Sequence, residues 1–120
     1  MGTFKVGMIG AGGIASGVHA GGWMDHPDVD VVAVCDIDEA RAKRLAEKVG
    51  AKQTFTDFNE LVKVDEITAI DVCTPNRIHT PAVLAALNAG KHVVCEKPLA
   101  VTVDEVMQMG RLADEKKLKL

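Results

Sequence analysis

The sequence predicts a doubly wound α/β domain, a parallel sheet with helices on both faces. Three observations carry that expectation. Short runs rich in Val and Ile alternate from end to end with segments of helical periodicity. The runs are apolar enough to be covered on both faces, as in a parallel sheet. The first of them opens directly into a cluster of glycines. Five strands are expected, with the start of a sixth at the C-terminus.

Phe4 to Ile9 is the first strand, and a helix follows the glycines with Ile14, Ala15 and Val18 on one face until Asp25-His26-Pro27 stops it. Val29 to Cys35 is the second strand. Asp38 then suits an N-cap, Ala42, Leu45, Ala46 and Val49 recur at i, i+3, i+4 and i+7, and Gly50 is placed to end the helix. The charges Arg41, Lys43, Arg44, Glu47 and Lys48 read as its solvated outer face. A short strand over Gln53 to Phe55 precedes Thr56 and a brief helix through Leu61 and Val62. Ala69 to Cys73 is the fourth strand, and Thr74-Pro75-Asn76 leads into a helix with Pro81 in its first turn and Gly90 past its end. Lys91 to Cys95 is the fifth strand. Thr102 and Glu105 have the spacing of a capping box, and Val103, Val106, Met107 and Ala113 supply an apolar face. Lys117-Leu118-Lys119-Leu120 alternates as an edge strand would.

Composition narrows the function. At 120 residues the chain fits one domain, and 48% hydrophobic with 26% charged residues describes a globular protein able to bury a core. Aromatic residues are 3%, with a single Trp23 and no Tyr, which leaves little to stack on unpaired bases. The net charge of −3 offers no general attraction to phosphate polymers or anionic lipid, so any anion must be held locally. The longest apolar run, Ala82 to Leu87, falls far short of the roughly 20 residues that cross a bilayer. Neither nucleic acid nor membrane is expected as a partner. Met1-Gly2-Thr3-Phe4-Lys5 lacks the features of a secretory signal, and Gly2 lacks the Ser or Thr that myristoylation wants at the position of Val6, so a cytoplasmic location is expected. Cys35, Cys73 and Cys95 each close an apolar run and read as reduced, small core residues. His19, His26 and His92 have no metal-ligand spacing, and no metal is expected.

Gly10-Ala11-Gly12-Gly13-Ile14-Ala15 has the form G-x-G-x-x-A between a strand and a helix. Gly10 permits a tight turn, Gly12 removes a side chain that would block a pyrophosphate, and Ala15 lets the helix pack closely on the strand. The helix start supplies free N–H groups and a positive dipole end to the phosphates. Asp36 ends the second strand 21 residues beyond Ala15, the separation expected of an acid that accepts ribose hydroxyls. No Arg or Lys stands beside it to neutralise a 2′-phosphate, which favours NAD over NADP, with Arg41 keeping the alternative open. Lys97 follows a buried strand at the sheet edge where such domains bind ligands, and a lysine there can hold a substrate oxygen and share a proton. The competing reading is a surface lysine paired with Glu96.

On these residues, on Cys35-Asp36-Ile37-Asp38, on Thr74-Pro75-Asn76-Arg77-Ile78-His79 and on Cys95-Glu96-Lys97-Pro98-Leu99-Ala100, the whole chain resembles the N-terminal nucleotide-binding domain of the Gfo/Idh/MocA oxidoreductases. The resemblance implies hydride transfer between a nicotinamide cofactor and a sugar, inositol or related polyol. It implies cofactor contacts from Gly10, Gly12, Gly13 and Ile14, from Asp36 and Ile37, from Cys73, Thr74, Pro75, Asn76 and His79, and from Glu96 and Lys97. Lys97 takes the catalytic role, in a Glu-Lys-Pro motif whose proline restricts the lysine backbone and permits a cis bond. Pro75 and Asn76 also read simply as turn residues, and His79 as a capping or packing residue. In that family a C-terminal substrate domain follows, and nothing in residues 1–120 corresponds to it. The expectation is therefore a cofactor-binding half, inactive alone and prone to self-associate or exchange its last helix, with a non-catalytic NAD-binding sensor as the alternative.

Overall fold

The computed structural model describes residues 4–120. Gly2, weighed above for lipidation, lies outside the described residues. Five strands, β1 (Phe4–Ile9), β2 (Val29–Cys35), β3 (Gln53–Phe55), β4 (Ala69–Val72) and β5 (His92–Cys95), form one parallel sheet in the order β3-β2-β1-β4-β5. A π-helical turn, Ala15–His19, runs straight into the α-turn Ala20–Met24, and the two together are α1. The other helices are α2 (Glu39–Val49), α3 (Phe58–Leu61), α4 (Asn76–Asn88) and α5 (Val103–Lys116).

Alternation along the strands divides the interior into two layers. Val6, Met8, Val31 and Val34 pack with Ala15, Ala20, Leu45 and Ala46 under α1 and α2. Ile9, Ile70, Val72 and Val93 pack with Leu61, Val83, Leu87 and Met109 under α3, α4 and α5. The helix ends follow their sequence signals. The Asp38 carboxylate accepts from the N–H groups of Ala40 and Arg41, Gly50 closes α2 at φ 77°, and Thr102 and Glu105 form a complete capping box. Lys91 lies just before β5, buried, with its ammonium on the carbonyls of Val64 and Asp65 after α3.

Four local expectations need correction. In α1 only Ala15 of the expected face is buried; Ile14 and Val18 are 43% and 61% exposed, because the wider π-turn rotates them away from the sheet. Helix α4 starts at Asn76, so Pro81 stands inside it and not in its first turn. Helix α5 buries Met109 and Ala113, whereas Val103, Val106 and Met107 look outward beyond the β5 edge. Lys117–Leu120 forms no strand: Lys117 turns left-handed at φ 57°, and a single backbone bond, Val93 N–H to the Lys119 carbonyl at 2.9 Å, begins the pairing.

Candidate functional site

Strands β2 and β4 flank β1, and the chain leaves β1 toward one face of the sheet and β4 toward the other. A crevice is therefore left open above their carboxyl ends. Gly10 locks its floor. It sits at φ 98°, and a Cβ there would lie 2.7 Å from the carbonyl carbon and oxygen of Cys73, so only glycine permits the turn to rest on the chain leaving β4. A Cβ on Gly12 or Gly13 would meet nothing within 4 Å. The first glycine fills a structural need and the next two hold space open, which is the fit a pyrophosphate over the turn requires.

Asp36 is pinned beside this turn. One carboxylate oxygen accepts the Ala11 N–H at 2.8 Å and the other accepts the Asp38 N–H at 2.8 Å. Each oxygen retains acceptor capacity for a hydroxyl. Ile37 is 94% exposed at the rim. Beside the turn lies a hollow of about 450 Å³ lined by Ala11, Gly12, Gly13, Ser16, Arg41, Arg44, Leu45 and Lys48. Three of the five charges read as a solvated face therefore border the glycines: the Lys48 ammonium donates to the Ser16 carbonyl, and Arg41 lies 3.7 Å from Asp38. A larger hollow of about 640 Å³ lies at the amino ends of β1 and β2, between Lys5, Trp23 and Lys52, at the opposite end from the crevice.

The other wall comes from the segments after β4 and β5. Pro75 is the N-cap of α4 and Asn76 its first residue, both exposed, with Thr74 half-buried behind them. His79 is not a ligand-facing group: it is fully buried, and its ring nitrogens stand 2.8 Å from the Pro98 carbonyl and 2.9 Å from the Thr74 carbonyl. It straps the two loops together. The Lys97–Pro98 bond is cis. Glu96 spends one oxygen on the Lys97 backbone N–H at 3.0 Å and the other on His19 Nε2 at 2.7 Å. Among the described residues no ion pair within 4.0 Å joins Glu96 to the exposed Lys97 ammonium, although the Lys97 charge helps to lower the Glu96 pKa.

Sequence spacing missed His19. It joins Asp71, Cys73, Trp23 and Glu96 in a cluster drawn from separate elements, and the ligand atoms of His19, Asp71 and Cys73 lie within 4.8 Å of one another, close enough to share a cation. The signal that could have found it is Asp71, a charge inside an apolar central strand that must have partners when buried. Burial opposes charge on His19, yet hydrogen bonds and attraction from Asp71 and Glu96 outweigh it and raise its pKa above 6.5. Glu96 is lowered, first by its bond to His19 and then by the Lys97 N–H. Burial, reinforced by neighbouring carboxylates, pushes Cys35 and Cys95 up to about 12 and Cys73 further still.

Strand order, glycine turn and pinned acid define a dinucleotide-binding domain of the doubly wound type. The profile of the oxidoreductase family with an NAD-binding Rossmann fold, GFO_IDH_MocA, matches residues 4–120, and the chain belongs to that family. It is 40% identical over 105 residues to D-glucoside 3-dehydrogenase of Escherichia coli, covering 88% of this chain and 30% of that protein. With myo-inositol 2-dehydrogenase of Thermotoga maritima it shares 33% over 105 residues, 88% of this chain and 31% of that one. Among solved structures, the 3-ketoreductase KijD10 from Actinomadura kijaniata, in complex with NADP and TDP-benzene, superposes with a TM-score of 0.91 at 30% identity, over 96% of this chain and 35% of that chain. The chain thus spans about a third of the length of these relatives. Among the described residues no helix is long and apolar enough to cross a membrane.

Proposed function

We propose that residues 1–120 are the cofactor-binding part of a dehydrogenase that transfers hydride between NAD and a sugar or polyol. The contrast between Gly10, which cannot carry a side chain, and Gly12, which has nothing above it, carries this reading. In it the N–H groups of the Gly12–Gly13 turn hold the pyrophosphate, Asp36 the adenosine ribose, and Thr74, Pro75 and Asn76 the nicotinamide end. When bound, the nicotinamide supplies the hydride acceptor. Lys97, exposed and in no ion pair among the described residues, holds the substrate oxygen and exchanges its proton. Placing a carbinol carbon against the nicotinamide needs a second wall and a further base, which this reading assigns to chain beyond these residues.

Equilibrium titration with NAD and NADP tests the cofactor assignment, and an assay with a panel of sugars and polyols tests whether the 120-residue chain turns over. Binding without turnover is expected; failure to bind either dinucleotide overturns the reading. KijD10 holds NADP, and Arg41 and Arg44 beside the turn give an NADP preference its specific support here. A non-catalytic NAD-binding sensor would bind equally well and is separated by the activity of Lys97 variants in the complete protein. Self-association fits the exposed Val94, Val101, Val106 and Leu120 along the β5 edge, and sedimentation over a concentration series checks it.

A further inference from the structure

The cofactor reading leaves one cluster without a task. Asp71 lies on β4 with its side chain fully buried, where an unpaired carboxylate would be costly. It receives three donors: His19 Nδ1 at 2.9 Å, Trp23 Nε1 at 2.7 Å and the Cys73 thiol at 3.4 Å. His19 is shared, because its other nitrogen lies 2.7 Å from Glu96. Carboxylates only accept, so an imidazole bonded to one on each side donates from both nitrogens. The result is a carboxylate–imidazole–carboxylate bridge between α1, whose first turn grows out of the glycines, and the loop carrying Glu96, Lys97 and Pro98. The π-turn that ends at His19 brings this residue inward while leaving its neighbour Val18 61% exposed. Single π-turns of this kind recur at functional sites.

The bridge has a consequence for Lys97. Glu96 is its sequence neighbour and feels its charge, yet both Glu96 oxygens are engaged elsewhere, on His19 and on the Lys97 backbone. We propose that His19 is a positioning residue of this site: by holding Glu96 against α1 it fixes the Lys97 loop and keeps the Lys97 amino group free for a substrate oxygen. The last clause rests on the dehydrogenase reading; the contact geometry does not.

The test uses the ligand-free 120-residue chain. Trace acetylation with acetic anhydride at fixed pH, read by mass spectrometry, gives the reactivity of Lys97 relative to the exposed Lys52. His19→Gln releases Glu96 to pair with Lys97, and the Lys97 rate should fall about two- to fivefold, the range an exposed ion pair supports. Adding Glu96→Gln should restore it. Loss of His19 leaves Asp71 buried without its cation, so Glu96→Gln alone provides a variant that spares that carboxylate. There the Lys97 rate should stay within about twofold of wild type, because an exposed pair that was never formed cannot be lost. An unchanged rate in His19→Gln, no restoration in the double variant, or a several-fold rise in Glu96→Gln overturns the proposal. A chain that gives the expected labelling but binds no dinucleotide overturns the dehydrogenase reading and leaves the bridge standing.

Discussion

Substituting Gly12 by Ala should move stability and cofactor binding in opposite directions. Gly12 lies outside the left-handed region and a Cβ there touches nothing within 4 Å. The added methyl costs no native contact and restricts the unfolded chain, a gain of about 0.4–1 kcal/mol. For a domain of this size that is a rise in melting temperature of about 2–5 °C. The same methyl occupies the space where phosphate oxygens would approach the turn. Losing one charge-assisted hydrogen bond, about 1.5–3 kcal/mol, weakens NAD roughly ten- to a hundredfold. Gly10→Ala is the control of opposite kind: left-handed strain of about 1–2 kcal/mol adds to a Cβ 2.7 Å from the Cys73 backbone, so the fold itself is lost or much weakened. Calorimetry paired with NAD titration reads both quantities. Binding within about threefold of wild type in Gly12→Ala would show that the pyrophosphate does not lie over that residue, and a fall in melting temperature would show that the space above it is not open.

Asp36→Ala removes the partner of the buried Ala11 N–H, so both dinucleotides should lose affinity through a loosened turn, with NAD losing about tenfold or more beyond NADP; equal losses in parallel titrations discard the ribose assignment. The His19 bridge predicts a pH window. A raised His19 pKa gives stability that is complete below about 6.5 and is lost as pH rises through the folded value, while a lowered Glu96 pKa gives stability present above about 4.5 and lost as pH falls through the folded value. Asp71, Cys73 and Glu96 are the titratable groups in contact with His19, so urea midpoints across pH should show wild type gaining on His19→Gln most between those limits, and a pH-independent difference counts against the bridge. The three thiols, raised by burial, should resist alkylation at pH 8 in the native chain and all react once it is unfolded; rapid native labelling of Cys73 would contradict its burial between Asp71 and His19.

The strands, α2 and the caps were legible because each has a local cause: an apolar run, an Asp or Thr at the right offset, a Gly past the end. Asp36 was legible because the distance from a glycine turn to the next strand end is set by the length of one helix. The face of α1 was not, since periodicity assumes 3.6 residues per turn and a π-turn breaks that phase; Gly17 inside Ala15–His19 weakens the helix but does not announce a wider turn. Helix α5 misled differently: Val103, Val106 and Met107 share a stripe with helical spacing, but the sheet ends at β5 and the stripe stays exposed, with Val106 at the mouth of an open hollow beside that strand. His79 carried a motif that points to the cofactor, and only the carbonyls of Thr74 and Pro98, brought together by folding, reveal it as a strap. Arg44 and Lys48 looked like ordinary helix surface because the turn they border belongs to a distant stretch of chain.

Trp23 gives the cluster an optical voice. It is the sole tryptophan in the chain, so indole emission arises from one place, and its N–H is bonded to the carboxylate that also holds His19. Reduced nicotinamide absorbs where indole emits, so a bound reduced dinucleotide would draw excitation energy from Trp23. Loss of the His19 proton would instead alter the field around the ring with no ligand present. Quenching on cofactor addition and a spectral shift on pH change are separable events seen by one unlabelled chromophore, and their order in time would say whether the brace moves before the crevice fills.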